Sequence, residues 1–394
     1  MAKTLNGMAL ANNSKASTLS LRSVWVLRLA LGLVALLGAI VFLEGTSWDI
    51  QWHSLIGRDR TLIPPHIMML TGVTISGLSG LLTILIESSW ARHSEIVKKN
   101  STSFVDIFYG PLGAYIVGFA ALVAAVAFPL DAYWHALYGI DVRIWAPFHV
   151  MFVSSMGIVA LGAAYMLISA GHLAKRADNS NAGPTRAAYA GAIVALATIL
   201  SIFTLLLFDA LNKGNQLNLG FVNLSVFPLL SGILIAFTFA AAAYAIPWRW
   251  AATSVVACYC LLAGIMALFV QPATNWLLTV ERLSYRRAHL PSTSLVALQW
   301  FLTPIIVAIL IDVMMYQARQ KHWSQKKLTL IMALCALISG ALPIVPGSPL
   351  LPAVLLLQVG VAGFALSLLI GLGGSLLGTI FGRNVGESLR TLEG

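Results

Sequence analysis

The chain has 394 residues, 59% of them hydrophobic and 10% charged, and carries a formal net charge of +10. Its apolar residues fall in blocks of about 20, the length that crosses a ~30 Å hydrocarbon layer, and this excludes a water-soluble core. The basic residues lie between the blocks, so the positive charge reads as an orientation signal rather than a nucleic-acid surface.

Backbone groups in hydrocarbon must be satisfied within each segment, so the apolar blocks are helices. The fold class is all-α, a polytopic transmembrane helical bundle. About ten spans are predicted, near 23–43, 65–87, 109–130, 147–170, 188–208, 222–246, 249–270, 296–316, 328–348 and 351–380. The cluster Pro343, Pro346, Pro349 and Pro352 marks a tight turn or a broken helix between the last two. The final span is long enough to kink or to reach past the bilayer. The first span is too long for a signal-peptide apolar region and lacks a small-residue cleavage site, so an uncleaved first helix is expected. The chain divides into a polar tail over 1–22, a four-helix region over 23–170 and further membrane helices over 171–394.

Charge placement sets the orientation. With a cytoplasmic N-terminus, Arg22, Arg92, Lys98, Lys99, Lys175, Arg176, Arg186, Arg249, Arg319, Lys321, Lys326, Lys327, Arg383 and Arg390 lie inside. Outside remain Arg58, Arg60, Arg143, Lys213, Arg282, Arg286 and Arg287. The positive-inside rule favours this arrangement, and ten spans return the C-terminus to the same side. Cys258, Cys260 and Cys335 fall within spans, so no external disulfide framework is implied, and buried free thiols are expected.

One pattern occurs twice. The first copy reads Asp49-x-x-Trp52-His53 and then Pro64-x-His66; the second reads Asp131-x-x-Trp134-His135 and then Pro147-x-His149. An Asp four residues before a His stacks both side chains on one helix face, where both reach one ion. The second His follows at the start of the next span, behind a proline at a favourable helix-start position. Each copy thus offers three N/O ligands at the outer membrane boundary, and helices 1–2 and 3–4 read as a parallel repeat. Accident would supply one such spacing on the order of once in a few hundred chains of this composition, so two copies point to metal. Two imidazoles and a carboxylate suit copper, zinc or non-haem iron and leave positions open, as catalysis requires. No Cys, Met or further His stands at a matching position to act as a substitute ligand.

The run Asp49-x-x-Trp52-His53-x4-Arg58-Asp59-x4-Pro64-x-His66 resembles the metal-ligand segment of the C subunit of particulate methane and ammonia monooxygenases. The resemblance covers about residues 44–153. It implies that Asp49, His53 and His66 bind copper and form the catalytic site. It also implies that Asp131, His135 and His149 form a neighbouring metal site, with Asp131 standing where the family carries Asn, a change that adds a negative charge and a harder ligand. The implied activity is copper-dependent oxidation of a small substrate such as methane, a short hydrocarbon or ammonia by dioxygen. The implied partners are A- and B-type monooxygenase subunits, unless the chain acts alone, with homo-oligomers left open. The implied location is a bacterial or archaeal cytoplasmic membrane, with the metal sites toward the outer face.

The competing reading is a metal-binding or metal-transport protein without catalysis. Among lesser residues, Glu44 is a candidate for orienting an imidazole. Arg28 and Asp312 should face the bundle interior and find partners there. Trp48, Trp52, Trp134 and Tyr138 fit an interfacial aromatic belt or the wall of a substrate pocket. Arg58 with Asp59 reads as an exposed ion pair, His289 as part of a solvated basic loop, and His93, His172 and His322 carry no assigned role.

Overall fold

A computed structural model of the chain describes residues 20–56, 60–139, 144–210, 216–285, 302–343 and 351–392. Its elements are α1 (Leu21–Leu55), α2 (Pro64–Ala91), α3 (Glu95–Lys99), the hairpin β1 (Thr102–Phe104) and β2 (Phe108–Gly110), α4 (Leu112–Tyr138), α5 (Pro147–Ala177) and α6 (Gly183–Ala210). A second hairpin, β3 (Gln216–Asn218) and β4 (Asn223–Ser225), precedes α7 (Phe227–Ala245), α8 (Ala251–Glu281), α9 (Leu302–Gln320), α10 (Gln325–Ala341) and α11 (Leu351–Thr391). Both hairpins are antiparallel and lie in connections between helices.

The fold is an all-α bundle. Among the described residues nine helices are long and apolar enough to cross a membrane, an integral-membrane architecture. The shortest long helix is α10, whose 17 residues extend about 25 Å at 1.5 Å per residue. The prolines at 346 and 349 lie outside the described residues. The expected kink in the last helix falls at Gly360, whose φ of 70° interrupts α11. Proline opens several helices where its missing N–H costs nothing: Pro64 and Pro65 in α2, Pro147 in α5 and Pro228 in α7.

The four-helix region holds together by close approach of backbones. A side chain added at Gly72 would lie 2.5 Å from the Gly38 carbonyl and 2.6 Å from the Phe42 amide, so α1 and α2 cross where neither helix has a side chain. Gly113 and Gly162 make the same reciprocal contact between α4 and α5. Lipid tails are as apolar as leucine, so such packing, rather than water exclusion, drives helix association in a bilayer.

A buried ion pair closes the other end. Arg28 on α1 gives Glu87 on α2 two bonds, Nε to Oε1 at 2.7 Å and Nη2 to Oε2 at 2.8 Å. It also reaches Ser169 on α5 at 2.6 Å and the Asn100 carbonyl at 2.7 Å, while Ser101 donates to Glu87 at 2.7 Å. Arg28 therefore does face the interior, and its partner is Glu87. Asp312 also faces inward, where it accepts from the first amides of α8 instead of pairing with a cation.

Removing one member of a fully buried pair strands the other charge, a loss of about 3–5 kcal/mol. Glu87→Ala should therefore lower the thermal midpoint of the purified protein sharply, and Arg28→Met with Glu87→Leu should recover most of it. Melting curves in one detergent test this, and an unchanged midpoint for Glu87→Ala would refute the clamp.

Candidate metal centres

The first centre begins on the last turns of α1. The predicted span ends at 43, whereas the helix runs on to Leu55, so Asp49 and His53 sit on helix rather than loop. The extension is held by its opposite face: Trp48 packs edge-on against Phe269 of α8, and Trp52, Leu55 and Ile56 cluster with Val270, Leu277 and Leu278. Trp48 and Trp52 are buried in the bundle and do not form an interfacial belt. Tyr138 does stand exposed, and Trp134 lies between it and Phe148.

Helical spacing then brings Asp49 and His53 together. His53 Nδ1 lies 3.0 Å from the Asp49 carbonyl and 3.3 Å from Asp49 Oδ2. His66, the third residue of α2, places Nε2 3.0 Å from Asp49 Oδ1, and its Nδ1 lies 3.2 Å from the Thr61 carbonyl. The two rings stack with centroids 5.8 Å apart. A backbone carbonyl at each Nδ1 orients the two imidazoles beside the Asp49 carboxylate. Sequence reasoning had no means to find Thr61, whose contribution is a main-chain oxygen.

The second centre repeats the construction on α4 and α5 with more room. Asp131 Oδ2 lies 3.8 Å from His135 Nε2, Asp131 Oδ1 lies 3.4 Å from His149 Nε2, and the rings meet at 83°. His149 is the third residue of α5, as His66 is of α2. The loop before it is tied down by Trp145, whose indole N–H donates to the Leu206 carbonyl of α6 at 3.2 Å. The His149 side chain keeps 25% of its surface, against 12% for His66.

In each triad one donor atom per residue lies within 4.8 Å of the others, and among the described residues these are the two clusters able to hold a metal ion. Bonds near 2 Å place neighbouring donors roughly 3.3 Å apart in tetrahedral geometry, so a single ion fits either set. Asp131 Oδ1 is buried and, apart from His149 Nε2 at 3.4 Å, has no hydrogen-bond partner among the described residues, a costly state for a carboxylate oxygen that a cation would relieve. The donor set suits copper, zinc or non-haem iron. The chain matches no family model, no curated protein and no solved structure. The metal reading accordingly stands on the geometry of these six residues.

One cavity touches residues of both centres. A cavity of about 50 Å³ is lined by Asp49 and His53 of the first triad and His149 of the second, with Phe42, Ile50, Met69, Phe152 and Val153 among its walls. Met69 and Phe152 each follow the triad's second His by three residues, one helical turn on the same face. That spacing was the available signal for the cavity, which sets Met69 and His149 beside the first triad.

Glu44 does not orient an imidazole. It lies one turn before Trp48 on the face turned to α8, buried, and neither its carboxyl oxygens nor the Trp48 indole nitrogen has a hydrogen-bond partner among the described residues. Arg58, Asp59 and His289 lie outside the described residues. Arg60 bridges to Glu281 of α8 at 2.8 Å. His172 Nδ1 lies 2.9 Å from the Leu392 carbonyl, and neither it nor His93 or His322 joins a metal cluster. The three cysteines are free and half-buried.

His53→Ala or His66→Ala removes one of three ligands and should abolish tight metal binding at the first triad. Because His149 and Met69 line the same cavity, weak residual binding is expected rather than none. Asp131→Asn removes a charge and keeps an oxygen donor, so it should alter the second centre while sparing the first. Metal content and spectroscopy of the purified variants check both. Full metal retention in both His variants, with complete loss in Asp131→Asn, would make the second triad the principal centre.

Proposed function

We propose that this chain is a membrane copper protein that activates dioxygen, with Asp49, His53 and His66 as the principal ligands and Asp131, His135 and His149 as a companion site. It then corresponds to the C-subunit component of a copper membrane monooxygenase, or to a stand-alone relative. The observation that carries the reading is the cavity bordered by Asp49 and His53 of the first triad and His149 of the second, since a small, mostly apolar chamber there suits a reaction between dioxygen and a small apolar molecule better than ion storage. A copper ion bound there supplies the redox chemistry.

The chain's own residues do the rest. The Asp49 and Thr61 carbonyls orient the imidazoles. Phe42, Ile50, Phe152 and Val153 exclude water and limit substrate size. The substrate class is a short hydrocarbon or ammonia, arriving from the bilayer. A transport role fits less well, because both triads sit at helix ends and no further cluster of ligating side chains continues inward among the described residues.

The reading is tested on copper-loaded protein by following oxygen uptake with a reductant and a short alkane or ammonia, with A- and B-type subunits added in a second arm. Val153→Phe fills the cavity without replacing a ligand. It should keep both metals yet lower turnover at least about tenfold. Two bound coppers with no oxygen uptake in either arm would reduce the chain to a metal-binding protein.

We further propose that both termini are cytoplasmic and both triads lie toward the outer face, the arrangement that puts the basic turns inside. An impermeant thiol reagent added to intact cells should label Tyr138→Cys or Leu62→Cys, both at exposed positions, in a background without the native cysteines. Labelling only after the membrane is opened would reverse the orientation.

A further inference from the structure

At the end of the bundle opposite the triads, the turn between α7 and α8 and the last turns of α9 enclose a pocket of about 170 Å³. Two arginines, Arg249 and Arg319, line it with Asp312, Trp248 and Tyr316. Asp312 is the carboxylate expected to neutralise them, and it is engaged elsewhere. Buried at 2% exposure, it accepts from the Ala252 amide at 3.1 Å, the Thr253 amide at 2.8 Å and the Thr253 hydroxyl at 2.7 Å, and so caps α8.

Neither arginine forms a contact ion pair with Asp312 among the described residues. Arg249 lays its guanidinium on the Tyr316 ring at 4.2 Å and the Trp250 ring at 5.2 Å, and forms no ion pair among the described residues. Arg319 makes one hydrogen bond, to the Ala243 carbonyl at 3.3 Å, and likewise no ion pair. Stacking occupies the face of a guanidinium and leaves its N–H edge, the edge that matches a phosphate, available. With Asp312 counted, the pocket keeps one net positive charge.

A second feature says what kind of anion fits. Leu302, Ile306, Ile309 and Tyr316 are exposed on α9 at spacings of three, four and seven, one continuous apolar face. The stripe spans about 21 Å at 1.5 Å per residue and ends at the pocket mouth, where Tyr316 belongs to both. A soluble anion has use for the pocket alone, whereas a molecule with a phosphate head and a hydrocarbon tail fills both.

We propose that this pocket binds the phosphodiester headgroup of an anionic phospholipid, with one acyl chain lying along the α9 stripe. Arg249 and Arg319 donate charge-assisted hydrogen bonds to the phosphate oxygens. Trp248 and Tyr316 flank the glycerol level, where amphipathic rings prefer to sit. The lipid thereby bridges the α7–α8 turn to α9, which Asp312 also joins from beneath. Basic pockets between membrane helices commonly recognise acidic headgroups in this way.

The test is a titration of the full chain in detergent with phosphatidylglycerol or phosphatidylcholine, read by native mass spectrometry. Phosphatidylglycerol should bind roughly tenfold more tightly, since the basic pocket attracts a net negative headgroup over a zwitterionic one. The Arg249→Gln, Arg319→Gln pair should erase the preference, and the Arg249→Lys, Arg319→Lys pair should keep part of it. Retained metal content in these variants establishes that they fold. If the Gln pair does not fold, the wild type decides, because the preference must then fall steeply with added salt. Inorganic phosphate, compared with chloride at equal ionic strength, should not displace the lipid. Equal binding of the two lipids, an unchanged preference in the folded Gln pair, a salt-independent preference, or displacement by phosphate alone would overturn the proposal, the last by making the site one for a soluble anion.

Discussion

Hydrocarbon supplies no hydrogen bonds, and every arrangement in this protein answers to that. The backbone satisfies itself by coiling into helices, which leaves side-chain polarity as the remaining liability. A polar group in the bundle therefore gains by meeting another inside the protein or by lying at a helix end, and buried Glu44 does neither among the described residues. Asp49 and Asp131 do both, since each is set near a helix C-terminus and faces two imidazoles. Asp312 solves the same problem with backbone amides, and Arg28 solves it with Glu87.

The α1–α2 pair shows how these solutions depend on one another. Arg28 to Asp49 is 21 residues along α1 (49 − 28), and Glu87 to His66 is also 21 along α2 (87 − 66). Two antiparallel helices joined by an ion pair at one end are thus in register for a carboxylate–imidazole contact about 31 Å away. The glycine crossing between them, at Gly38 and Gly72, keeps the axes close enough for short side chains to meet. The Arg28–Glu87 clamp and the Asp49–His66 contact thus agree on one register of the two helices.

The second pair reaches a similar end with less constraint. It has its own glycine crossing, at Gly113 and Gly162, and the same third-residue His after a helix-opening Pro. Its carboxylate–imidazole distances are longer and its second ring is more exposed, so its donors have more latitude to adapt to an ion. Residues one turn beyond the ligands also differ, Met69 in one pair and Phe152 in the other, so the shared cavity has a polarizable wall on one side and an aromatic wall on the other. Equivalent construction with unequal tightness fits a principal site beside an adaptable one.

The sequence by itself determined whatever depends on neighbours within a helical turn or two: the membrane helices, the Asp-x3-His stacking, the Pro-x-His helix starts and the resemblance built on them. It misjudged the end of α1, because 44–55 is polar enough to read as a loop until Trp48 and Trp52 find their cover on α8. It likewise had Glu44 facing an imidazole, which the helical turn rules out once the face packed on α8 is known. Only the tertiary structure decided that Arg28 meets Glu87, that Asp49 and His53 share a cavity with His149, and that Arg249 and Arg319 share a pocket. These are contacts between segments distant in the chain. Local periodicity fixes which face of a helix is polar but carries no record of the helix that face will meet.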